Sequence, residues 1–190
     1  MRAFVESIEA EFLRYKALAE ATLAQLEESQ WQAPDATASD GNSIATVWWH
    51  IAANLHSRFT DFLTSDGEKP WRQREAEFAP RAVRRAELLA HWQVGFGALL
   101  QALAVLTDAD LTRTVAIRGQ PLTVHAALHR SLAHVSYHVG QIVHAARAQL
   151  GPTWRFLSIP PGGSVAYNAA PAFEGGKGHA EQLRERGRRS

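Results

Sequence analysis

The chain contains no cysteine, which excludes disulfides, thiolate metal sites and a cysteine nucleophile. Any transition-metal site in it must use imidazole, carboxylate and water. Charge of one sign is also lacking: 20 Lys and Arg stand against 19 Asp and Glu, for a formal net charge of +1. No global field draws such a chain to nucleic acid or to an anionic membrane, and neither is expected as a partner. No unbroken apolar run approaches the roughly 18 residues of a membrane span. The opening MRAFVESIEAEF is amphipathic, with acids from Glu6 onward, and has no apolar core of the signal-peptide kind. The expected compartment is the cytoplasm. Gly-rich phosphate loops are missing too, because Gly162-Gly163 and Gly175-Gly176 follow no predicted strand and precede no clear helix. There is no His-Glu-x-x-His protease signature. No basic-aromatic stripe suggests stacking on nucleic acid.

What is present is a globular composition: 190 residues, 46% hydrophobic and 21% charged, enough for one domain with a sizeable core. Apolar residues recur by threes and fours in four long stretches, the period of a helix with one buried stripe. The first runs from Arg2 to Ser29 through Phe4, Ile8, Phe12, Tyr15, Ala19, Leu23 and Leu26. Pro34 and the polar run after it form a loop. The second is capped at Asn42-Ser43 and ends near Ser65, with Ile44, Trp48, Ile51, Leu55, Phe59 and Phe62 inward. From Ser43 through Leu55 it carries no formal charge, so both of its sides should be covered. The third runs from Val83 to Leu106 through Leu88, Leu89, Trp92, Phe96, Leu99 and Leu103. Arg113 to Arg118 alternates weakly before a turn at Gly119-Gln120-Pro121 and predicts a short extended segment. The fourth helix opens at Thr123 as N-cap and stops at Gly151-Pro152, with Leu128, Leu132, Val135, Val139, Ile142 and Ala146 inward. Beyond it, Trp154, Phe156, Leu157 and Ile159 could pack back, and the basic end GHAEQLRERGRRS reads as a frayed tail. Four long helices without competing strands predict an all-α four-helix bundle over residues 1–160, with an irregular segment over 161–190.

Chemistry enters with the histidines. His134 and His138 are four apart on a helix, so their imidazoles point nearly the same way, one turn apart. His50, in the second helix, can supply a third imidazole, giving a three-ligand site with open positions, the arrangement of a catalytic metal centre more than a structural one. The bland alternative is a pair of half-buried histidines bonded to backbone or side chains, and the spacing alone is a weak signal. His125 and His129 form a second four-apart pair, turned about 180° and 140° from His134, and read as rim residues. His56, His91, His144 and His179 read as bystanders. Trp48, Trp49, Trp71 and Trp92 read as core and as pocket walls. Asn54, one turn after His50, could bond an imidazole nitrogen or a metal-held water. Arg58 and Arg130 project near the ligand rows, and with Asn54 they could hold an anionic substrate group.

One histidine in the second helix followed by His-x-x-x-His in the fourth resembles the DinB-like superfamily of metal-binding four-helix bundles. Asn42–Phe78, NSIATVWWHIAANLHSRFTDFLTSDGEKPWRQREAEF, and Arg130–Gly162, RSLAHVSYHVGQIVHAARAQLGPTWRFLSIPPG, narrow the likeness to an uncharacterised subfamily, over roughly Met1 to Pro161. Where that subfamily often has asparagine, this chain has His129, a difference that leaves the three ligands intact. The resemblance implies a divalent metal, nickel, zinc or iron, on His50, His134 and His138, and a homodimer. Some members of the superfamily are transferases or isomerases that use a low-molecular-weight thiol, so a metal-dependent thiol S-transferase is the enzyme expected. Hydrolysis by a metal-activated water is an alternative. The rival class is a non-catalytic dimeric bundle whose site is structural or vestigial, its fourth position closed by a carboxylate such as Asp61.

Overall fold

The computed structural model describes residues 1–34, 41–79 and 82–169. The expected frayed tail, with Gly175-Gly176 and His179, lies outside the described residues, as does most of the polar run after Pro34. The regular structure comprises α1 (Ala3–Leu23), α2 (Glu28–Gln32), α3 (Ile44–Phe59), α4 (Arg85–Val105), β1 (Thr114–Ile117), β2 (Gln120–Thr123), α5 (Val124–Leu150) and α6 (Ser164–Ala169). The protein is all-α apart from the hairpin β1–β2.

α3 lies at the centre, packed against α4, α5 and α2, while α1 packs along α5. Its charge-free stretch is buried on both sides, as its composition predicts: Ile44, Ala45, Trp48, Ile51, Ala52 and Leu55 are all at or near zero exposure. Trp48 stacks on Trp92 of α4 with ring centroids 4.0 Å apart. Gly95 makes this closeness possible, since a Cβ there would stand 2.4 Å from the Ala52 carbonyl oxygen. α4 is long and apolar enough, by length and composition alone, to cross a membrane, but Leu88, Trp92, Phe96, Leu99 and Leu103 lie in the common core.

Three boundaries differ from expectation. The first helix does not reach Ser29. After Leu23 it tightens, and Arg85 of α4 donates to the carbonyls of Leu23 and Leu26. Glu27 and Gln30 then bond reciprocally and start α2 afresh, which buries Trp31. The second helix stops at Phe59, not Ser65, because Asp61 turns left-handed at φ 49° and its carbonyl accepts from the Ser65 N–H. The extended segment before the last long helix is half of a hairpin. Its turn lies at Arg118-Gly119, and Gln120 and Pro121 belong to β2. Both turn residues have positive φ, 55° and 70°, as a two-residue hairpin loop requires.

Asp66 holds that turn in place. Its carboxylate accepts from the backbone N–H groups of Glu68, Arg118 and Gly119 at 2.7–2.8 Å. The Gly67 N–H donates to the Ala116 carbonyl at 2.8 Å. The hairpin tip is thereby tied to the segment after α3. Thr123 caps α5 as predicted, accepting from the Ala126 N–H at 3.1 Å. Past α5, Trp154 is buried and Leu157 packs on the core, whereas Phe156 and Ile159 stay over a third exposed. The segment expected to be irregular contains the short helix α6.

Candidate metal centre

α3 presents His50, Asn54 and Arg58 at four-residue intervals, one ladder down one face. α5 presents Arg130, Ser131, His134 and His138 opposite it. Packing of α3 on α5 brings the ladders together, and one ligand nitrogen from each of His50, His134 and His138 lies within 4.8 Å of the others. His50 Nε2 and His134 Nε2 are 3.1 Å apart, near the roughly 3.3 Å expected between two nitrogens on one tetrahedral ion. The three residues form a group that could hold a metal ion.

The hydrogen bonds behind the rings point the right lone pairs inward. His50 Nδ1 donates to Glu77 Oε2 at 2.7 Å, which turns Nε2 toward the group. His138 Nδ1 donates to Gln141 Oε1 at 2.6 Å, with the same consequence. Outward N–H bonds of this kind are what metal-ligating histidines use to fix tautomer and ring orientation. His134 Nδ1 is buried and has no hydrogen bond among the described residues. Burial, followed by its histidine neighbours, pushes the His134 imidazole down to about 3, and burial also lowers His138. Both are therefore neutral at physiological pH, the state a ligand needs. The donor set fits a divalent transition metal.

Glu77 was not legible as a functional residue. It sits in a short 3₁₀ turn over residues 75–78 and is 5% exposed in its side chain. Besides His50 it takes Arg72, through Nε at 2.7 Å and Nη2 at 3.0 Å. Burial works to raise the Glu77 carboxyl, but the bonds from His50 and Arg72 outweigh it and hold it below the usual carboxylate range. Arg72, Arg74 and Arg118 were missed as well. They come from the segment after α3 and from the hairpin tip, where no periodic pattern marks a facing direction.

Beside the triad lies a cavity of about 180 Å³, lined by His50 and His134 together with Asn54, Arg58 and Arg130, foreseen on the ligand rows, and by Ser131, the three added arginines and Ile117. Asn54 lines this cavity and bonds none of the imidazoles. Their outward partners are Glu77 and Gln141 instead. Asp61 is displaced from the site: it is exposed beyond the end of α3 and lines a separate hollow with Phe62 and Val105. It does not belong to the group that could hold an ion. His125 and His129 lie exposed at the start of α5 against Phe4, and His56 stacks on Trp71, as bystanders do.

Fold and site together define an all-α protein with a three-histidine group able to take a metal ion. The chain belongs to the family described as protein of unknown function (DUF1572), which matches residues 1–163. No curated protein and no solved structure matches it.

Proposed function

We propose that this is a DinB-like four-helix-bundle protein in which His50, His134 and His138 bind one divalent metal ion, and that it is a metal-dependent transferase using a low-molecular-weight thiol. The observation that carries the reading is the convergence of three imidazoles, two of them held by outward N–H bonds, on the edge of a cavity lined by arginines. Bound there, the ion would supply Lewis acidity, lowering the proton affinity of a thiol or water entering its open positions. The protein's own residues do the rest. Arg58 and Arg130 would hold an anionic group of the substrate, and the Asn54 amide would orient a polar group beside it. Glu77 and Gln141 keep the rings from rotating. Among the described residues no carboxylate lines the cavity, so none of them competes there for a coordination position.

The assembly we propose is a homodimer. The resemblance suggests it, and the outward side of α4 supports it: Val94 and Val105 are 49% and 75% exposed on a stretch without charge from Trp92 to Thr107. Light scattering should give twice 21.0 kDa, and a particle of 21.0 kDa at micromolar concentration would overturn that part.

The metal reading is tested by metal analysis of protein purified without a nickel column. One equivalent per chain is expected in the wild type and under a tenth of that in the H134A/H138A double variant. A full equivalent retained by the double variant sinks the assignment. Catalysis is tested by a thiol-conjugation screen, with wild type against His134→Ala.

A further inference from the structure

The cavity beside the triad is lined by five arginines and no acid. The acids lie behind the arginines. Glu68 Oε2 faces three guanidiniums, Arg58 at 3.0 Å, Arg118 at 3.1 Å and Arg72 at 3.7 Å. Glu68 is shared among three cations, Asp66 accepts from the Arg118 backbone N–H and acts on Arg58, and Glu77 compensates Arg72. Arg74 pairs with Glu75, which is 90% exposed and so screened by water. Arg130 has no ion pair among the described residues. The five guanidiniums thus outnumber the four neighbouring carboxylates, Glu68, Asp66, Glu75 and Glu77, by one, around a half-open cavity.

Two features separate this cluster from a solvated basic patch. The side chains of Arg58 and Arg72 are 10% and 2% exposed, and buried charges are costly unless paired. Arg72 Nη1 is moreover a buried donor whose ion-pair partner, Glu68 Oε2, stands 3.7 Å away, beyond hydrogen-bond reach. Burial depresses the proton affinity of Arg58, and the Arg72 and Arg118 charges add to that against the opposing effect of Glu68. The neutral donors Asn54 and Ser131 line the same space.

We propose that this cavity is a subsite for a compact dianionic oxyanion, the phosphate group of a small phosphomonoester substrate. The inference rests on the reading of this cavity as the substrate site, and it names the substrate class. The guanidiniums converge on about 180 Å³, which suits one group with two charges and several oxygens over two carboxylates spaced along a chain. A lone carboxylate offers one charge and two oxygens and would leave the field partly unmet.

The test is calorimetric titration of chelator-treated, metal-free protein with inorganic phosphate, sulfate and acetate at one ionic strength. Because no metal is present, phosphate bound through a triad ion cannot imitate the result. A separate zinc titration reports on the triad, so failure of either site is read on its own. One phosphate per chain is expected, bound at least tenfold more tightly than acetate and displaced by sulfate. Arg130→Gln, at an exposed position, should keep the fold and weaken phosphate roughly tenfold, the size of one charged hydrogen bond. Arg58→Gln should weaken it at least as much; if circular dichroism shows that variant unfolded, Arg130→Gln decides alone. A loss in either folded variant supports the subsite. Acetate binding as tightly as phosphate, no phosphate binding at millimolar concentration, or unchanged affinity in every folded variant overturns it.

Discussion

Replacing Glu77 by glutamine tests whether the triad is a held arrangement. The carboxylate accepts three hydrogen bonds, from His50 Nδ1 and from Nε and Nη2 of Arg72, in a site from which water is nearly excluded. Glutamine keeps the shape and one acceptor oxygen. Its amide NH₂ then confronts a donor, either the His50 N–H or an Arg72 N–H. Removing one partner of a buried ion pair costs about 3–5 kcal/mol, and the retained oxygen recovers part of that, so E77Q should lose about 2–4 kcal/mol. That is a large fraction of a typical domain's stability. Urea denaturation of metal-free protein measures it. Pairing the change with Arg72→Met should recover part of the loss, since no buried guanidinium is then stranded.

The pH dependence of E77Q follows from the same contacts. The folded carboxyl lies below its ordinary range, so on acidification the unfolded chain takes up this proton first. Glu77's contribution is complete above the ordinary value of about 4.3 and is lost as pH falls through the folded value. The gap between wild type and E77Q should therefore narrow below about pH 4.3. Zinc affinity at neutral pH should fall roughly 10–100-fold, because the glutamine amide holds the His50 Nδ1–H less firmly than the carboxylate does. E77Q within 0.5 kcal/mol of wild type and with unchanged zinc affinity would refute the reasoning.

His134 and His138 are both displaced below the ordinary histidine value of about 6.5, so between there and about 3, where His134 charges, the unfolded chain binds more protons. Metal-free protein should lose melting temperature as pH falls from about 6.5, and His134→Gln should flatten that slope; equal slopes would count against a neutral buried His134. Gly95→Ala should cost about 2–4 kcal/mol, because the added carbon meets backbone and not a movable side chain of α3. A variant as stable as wild type in urea would mean that α3 and α4 separate freely.

Much of the fold was legible because its long helices keep one period. The stripes from Ile44 to Phe59, Leu88 to Leu103 and Leu128 to Ala146 lie in one core, and the cap at Thr123 is where its side chain predicts. What was not legible depends on partners far along the chain. The first helix ends early because Arg85, over 50 residues away, takes its last carbonyls, a competition that periodicity in the first 29 residues cannot register. The hairpin needed its turn read at Arg118-Gly119. Arginine is a poor residue for positive φ, and the Asp66 carboxylate that supports it comes from another loop.

The same division runs through the site. His50, Asn54, Arg58, Arg130, His134 and His138 could be found because they lie on helices, where spacing fixes direction and two facing ladders must meet. Glu77, Arg72 and Arg118 come from segments without a period, so their residue types were visible and their directions were not. Yet the second group decides what the first can do. Glu77 sets which nitrogen of His50 faces the group, and without it either tautomer would serve. Arg72 and Arg118 turn a slot between two helices into a cavity with surplus positive charge. Arg72 also joins the two parts, since the guanidinium that lines the cavity bonds the carboxylate that holds His50. A change at Arg72 must therefore be felt at the His50 imidazole as well as in the cavity.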